Sequence, residues 1–106
     1  MKIIWSEPAK KDYWQNIDYL LKDWNEKVAI NFIKKVEQAI YFISQNPTIF
    51  QKTNYKEIRY ITIVPQITLY YQINNDTVEI VRLWNNYQQP ENLNCKKKTQ
   101  LSLRSG

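Results

Sequence analysis

The chain predicts an α+β fold: an antiparallel helix hairpin packed on one face of a three- to four-stranded antiparallel sheet. Three observations carry this. Apolar residues recur at helical spacing through the first half of the sequence and alternate through the second, with the change falling near Tyr55. The two helical segments are joined by a connection so short that they must pack antiparallel. Turn residues, Val64-Pro65-Gln66 and Asn74-Asn75-Asp76, divide the second half into three runs of strand length.

Taken in order, Lys2 to Trp5 is a short apolar run suited to an edge strand. Ser6 reads as an N-cap, with Glu7 and Pro8 in the first turn, where a carboxylate suits the helix dipole and a missing N–H costs nothing. A first helix over 7–23 then carries one apolar stripe, Tyr13, Ile17, Leu20, Leu21 and Trp24, while Lys10, Lys11, Gln15, Asn16 and Lys22 fall elsewhere. Asn25 caps a second helix over 26–45, on which Val28, Ala29, Phe32, Ile33, Val36, Ile40 and Ile43 keep helical spacing. Asn46-Pro47 ends it, because proline disfavours helix in the residue before it. Residues 48–54 are a polar loop anchored by Ile49 and Phe50. Strands are expected near 56–64, 67–74 and 77–85, and alternation places Val78, Ile80, Arg82 and Trp84 on one face. Ile17, Leu21, Phe32, Val36, Ile40, Leu69, Tyr71 and Ile80 are the expected core.

A length of 106 residues allows one domain, placed at 1–93, and four Trp with eight Tyr supply the apolar area for its core. Residues 94–106 are polar, basic and without periodicity, and read as a disordered tail. The residues leave open whether Leu103-Arg104-Ser105-Gly106 is native or an expression remnant. The single Cys95 and the absence of His argue against a disulfide framework and against a metal site, so no cofactor is expected. No signal peptide or apolar run of about 20 residues is present, so a cytoplasmic location and no membrane contact are expected. The net charge of +5 is misleading as a sign of nucleic-acid binding. Residues 1–91 hold eleven Lys and Arg against ten Asp and Glu, whereas 92–106 add four basic residues and no acidic one. The folded body is nearly neutral, and a phosphate-gripping surface draws its affinity from a basic excess.

Several residues then carry a resemblance. Ile-x-Trp-Ser leads into Ala9 and the first helix, a Trp closes that helix, and Asn46-Pro47 ends the second. An Arg follows early in the next strand, Tyr71 lies in the middle strand, and Ile80-Val81-Arg82 leads to Tyr87-Gln88-Gln89-Pro90 and Leu93. In this order, over residues 1–93, they resemble the RelE/ParE family of bacterial toxins, and the ParE branch in particular, with Tyr87 where that branch often has Arg.

The resemblance implies the toxin of a type II toxin–antitoxin module, neutralised by a cognate antitoxin. It implies either a ParE-like inhibitor that binds a target such as DNA gyrase, or a RelE-like endonuclease cutting mRNA on the ribosome. A third reading is an inert module that keeps antitoxin binding and has lost toxicity. Metal-free RNA cleavage needs a base, an acid and cations that stabilise the phosphorane. Where the RelE branch places two of its cations, this chain has Thr68 and the Asn85-Asn86-Tyr87 stretch. Arg59, Lys52, Lys56 and Tyr87 remain as catalytic candidates without an assignable acid–base pair, which leans against an enzyme.

Arg59, Arg82, Trp84 and Tyr87 are the expected target-binding residues, each beside a plainer reading. Arg59 can meet a partner, backbone carbonyls, or Glu57 or Glu79 in an ion pair. Arg82 shares the parity of buried residues, which favours a structural role on the covered face. Tyr70, Trp84 and Tyr87 form either an aromatic platform or ordinary packing. Trp14, off the main stripe, flanks the core or offers a contact to an antitoxin arm. Oligomeric state does not follow from the sequence.

Overall fold

The structure is a computed structural model that describes residues 1–87. The motif at Gln88-Gln89-Pro90, Leu93, the domain end expected at 93 and the tail all lie outside the described residues. Six elements follow the expected order: β1 (Lys2–Trp5), α1 (Glu7–Asp23), α2 (Glu26–Gln45), β2 (Arg59–Val64), β3 (Ile67–Asn74) and β4 (Thr77–Asn85). Both helices start on the predicted caps: the Ser6 hydroxyl accepts from the Ala9 N–H at 3.1 Å and the Asn25 side-chain oxygen from the Val28 N–H at 2.9 Å.

The sheet runs in the order β1-β4-β3-β2. The β2–β3 and β3–β4 pairs are antiparallel, whereas β1 lies parallel to β4, pairing Lys2 with Thr77 and Trp5 with Ile80. The sheet is therefore mostly antiparallel, with one parallel edge. A parallel neighbour needs a long crossover, and here the crossover is everything between β1 and β4.

The helices cover one face. Ala9, Ile17, Leu20, Phe32, Val36 and Ile43 meet Leu69, Tyr71, Val78, Ile80 and Leu83 in one buried cluster. Of the expected core, Leu21 is a correction: it is 48% exposed. Adjacent helical positions diverge by about 100°, and Leu20, fully buried, takes the inward place. Trp24 leaves the stripe because it is the C-cap, with its backbone turned out of the helix at φ -125° and ψ -110°, and it is exposed, its indole N–H donating to the Tyr19 hydroxyl at 3.4 Å. Ile40 is partly buried at the cluster margin.

Two further departures lie in the strands. β2 starts at Arg59, not near 56, because Lys56 sits at φ 51° and residues 53–58 form a turn. There the Thr53 hydroxyl oxygen accepts from the Tyr55 N–H at 3.1 Å and its O–H donates to the Ile58 carbonyl at 2.9 Å. In β4 a bulge breaks the alternation: Ile80 pairs with Tyr71 but Arg82 with Tyr70, leaving Val81 as the extra residue. Parity inverts beyond it. Leu83 and Asn85 are buried, and Arg82 and Trp84 turn to the uncovered face.

Candidate functional site

The uncovered face of the sheet can be read row by row, because cross-strand partners share a face. Tyr60, Tyr70 and Arg82 stand side by side on β2, β3 and β4, and Thr62, Thr68 and Trp84 form the next row. The Tyr60 and Tyr70 rings are 6.3 Å apart, and the Arg82 guanidinium lies 5.3 Å from the Trp84 ring. Gln72 and Glu79 close a third row through a 2.8 Å hydrogen bond. At the β2 side this face opens into a largely polar hollow of about 290 Å³ bounded by Gln51, Lys52, Asn54, Tyr60 and Tyr70.

Asp12 fixes the Arg82 corner. β1 covers β4 only as far as Ile80, so the β4 edge beyond the bulge lacks a strand partner, and α1 supplies one with side chains. Asp12 accepts the Leu83 N–H at 3.0 Å, and the Asn16 side-chain amide donates to the Leu83 carbonyl at 2.9 Å. Those two residues are one helical turn apart and both buried. Asp12 also takes a bidentate pair of hydrogen bonds from Arg82, at 2.6 and 3.0 Å. These bonds and the Asp12 charge push the guanidinium above its ordinary value, outweighing the partial desolvation that opposes them. Ser6 completes the clamp: its N–H donates to the Ile80 carbonyl at 3.0 Å and its hydroxyl to the Val81 carbonyl at 2.9 Å.

The four residues expected from sequence to bind the target are not one cluster. Arg82 and Trp84 are together on the uncovered face, and Tyr87, 58% exposed, follows β4 beyond Asn85. Arg59 pairs with Tyr71 and so belongs to the helix-covered face. Its guanidinium donates to the Thr48 carbonyl at 3.1 Å and the Phe50 carbonyl at 2.6 Å, which straps the 46–58 loop to the sheet. The Tyr71 hydroxyl does the same at Pro47, donating to its carbonyl at 2.5 Å, and burial pushes that phenol above its ordinary value against the opposing pull of Arg59. Glu57, a possible Arg59 partner, pairs with Lys52 at 2.9 Å, and this contact lowers its carboxyl below the ordinary range. Tyr60 escapes a reading of the sequence alone, because its pairing with Tyr70 depends on the β2–β3 register.

Thr68 is buried, and its hydroxyl donates to the Asn86 side-chain oxygen at 3.2 Å. Nothing cationic stands in its row. Among the described residues no group of His, Cys, Asp and Glu is arranged to hold a metal ion. No described helix is long and apolar enough to cross a membrane.

Residues 3–90 match the family model described as the ParE toxin of the type II toxin-antitoxin system, parDE. The chain belongs to the ParE toxin family. No curated protein sequence matches it. Solved structures share the fold. A chromosomal ParDE toxin–antitoxin system from P. aeruginosa aligns with a TM-score of 0.68 at 12% identity, covering 80% of this chain and 95% of that one. A YoeB/ParE toxin from Agrobacterium tumefaciens aligns at TM-score 0.58 and 13% identity over 82% of this chain and all of that one. The heterotetrameric YoeB-YefM toxin-antitoxin complex from Staphylococcus aureus contains a chain at TM-score 0.57 and 20% identity, over 82% of this chain and 98% of that one. At such identities these neighbours speak to the fold alone. It is the family match that makes this ParE-family chain the toxin of a type II module.

Proposed function

We propose that this ParE-family toxin acts in the cytoplasm by binding and inhibiting a protein target such as DNA gyrase, and that a cognate antitoxin neutralises it. The observation that carries this is the commitment of the cations around the uncovered face. Arg82 is held by Asp12, Lys52 by Glu57, and Arg59 by loop carbonyls on the far side of the sheet, while Lys56 sits in the turn before β2 with its ammonium 5.2 Å from the Tyr55 ring centroid. A phosphorane-stabilising site needs cations aimed at the reacting phosphate, with an acid and a base in reach. Among the described residues the face offers rings and amides instead, the chemistry of a protein contact. The match to a toxin–antitoxin family supports the antitoxin as partner, as does a fold neighbour solved with its own antitoxin.

The test compares two reactions with one preparation. Added to gyrase, the protein should lower supercoiling, and added to ribosomes programmed with mRNA it should leave the message intact. Tyr87→Ala and Tyr70→Ala should weaken gyrase inhibition with little change in Tm, because neither ring is part of the buried cluster. Ribosome-dependent cleavage abolished by Tyr87→Ala would replace this reading with the nuclease one. Soluble, folded protein that arrests no growth would point to the inert antitoxin-binding module.

A further inference from the structure

Where α1 and α2 meet the end of β1, residues of all three line a cavity of about 340 Å³ that the uncovered sheet face does not use. Val36 and Ile40 of α2 form its floor. Its wall is aromatic: Trp5 meets Tyr13 at 5.4 Å and 71°, and Tyr13 meets Trp14 at 5.2 Å and 74°. The rings stand at steep angles to one another, an arrangement in which the faces not used between them can converge on one cation. Trp14 is 65% exposed, although a tryptophan on a helix surface leaves a large apolar area in water.

The rim adds the charge. Lys10 and Glu37 both border the cavity, but the Lys10 ammonium is drawn to Glu7 at 3.0 Å. Glu37 is exposed and makes no ion pair among the described residues. Its charge reaches into the cavity, where it adds to burial in raising the Tyr13 phenol. An uncommitted carboxylate beside three rings asks for a cation.

We propose that this cavity seats an arginine side chain of the antitoxin arm, its guanidinium stacked among Trp5, Tyr13 and Trp14 and facing Glu37. The proposal rests on the toxin–antitoxin reading for the identity of the partner. Arginine fits better than lysine because a planar, weakly hydrated guanidinium stacks on rings and offers a fork to a carboxylate. An apolar side chain would fill the same space but would leave the rim carboxylate of Glu37 without an ion-pair partner. The volume, at the low end of the roughly 300–1,000 Å³ of ligand pockets, suits one long side chain and its neighbours. Leu21 and Ile30, about half exposed on the same two helices, extend the apolar surface along which the rest of an arm can lie.

The seat is tested without the antitoxin. In the full chain, the indole N–H signals of Trp5 and Trp14 should move on titration with N-acetyl-arginine amide, while that of Trp24 stays in place. N-acetyl-citrulline amide, the neutral isostere, should bind about tenfold more weakly, and Glu37→Gln should weaken the arginine probe by a similar factor. Equal binding of the citrulline, lysine or leucine amide, or no shift with arginine, overturns the proposal. A second measurement separates it from the reading it rests on. The product of the adjacent reading frame should bind the wild-type chain, and Glu37→Gln and Trp14→Ala should each weaken that complex about tenfold at unchanged Tm. Failure of the wild-type complex counts against the antitoxin reading, and the amide titration alone judges the seat.

Discussion

Asp12 does more than any other single residue to shape the uncovered face. It is buried, takes the Leu83 N–H, and holds Arg82 beside Trp84. Asp12→Ala should therefore cost about 1–3 kcal/mol, the penalty for a buried donor left unpaired, measured by urea denaturation. Asp12→Asn keeps an acceptor for Leu83 and should cost less, while releasing Arg82. Tyr71 sets a pH limit. Its folded pKa lies above the unfolded value, so its contribution is fully present below about pH 10 and is lost as pH rises through the folded pKa. Tm should fall above that pH. Tyr71→Phe should flatten the fall, at a cost near neutral pH of about 1 kcal/mol for the lost bond to Pro47. None of these partners is legible in the sequence, because each joins residues far apart in the chain.

At the scale of elements, the helices are legible almost to the residue and the strands nearly so. Caps and prolines are local chemistry, and Ser6, Asn25 and Pro47 mark the helix limits whatever lies elsewhere. The β4 bulge is different. Val78-Glu79-Ile80-Val81-Arg82-Leu83-Trp84 alternates acceptably in either phase, and it is Ser6, Asp12 and Asn16, from outside the sheet, that hold the bulged segment in place. That is why alternation alone puts Arg82 and Trp84 on the covered face when they stand on the other. The candidate site is half legible for the same reason: its strand residues can be named from sequence, their grouping cannot. The Leu21 correction makes a sharp test. Leu21→Lys should change stability by no more than about 0.5 kcal/mol, whereas Leu20→Ala, one position away and fully buried, should cost roughly 2–5 kcal/mol by the same denaturation measurement.

At the scale of the molecule, one small domain carries two distinct surfaces. The uncovered sheet face carries the contact proposed for the target, and the cavity among α1, α2 and the end of β1 carries the seat proposed for the antitoxin. If both readings hold, a saturating arginine probe should leave gyrase inhibition unchanged, since it occupies the surface the target does not use. The parallel pairing of β1 with β4 has a further bearing, on the birth of the protein. Trp5 is among the first residues made, yet its strand partner Ile80 comes 75 positions later. Contacts of such separation carry a loop-closure cost that nearer ones do not compensate until the chain is almost complete. The clamp of Ser6 and Asp12 on β4 waits on the same event. A chain stopped at Asn74 would hold the hairpin, the β2–β3 pair and a β1 without its partner, but neither Arg82 nor the edge that Asp12 closes, and it should be harmless when expressed. Toxicity would thus arrive with the last strand, after the helices that form the proposed antitoxin seat have been synthesised.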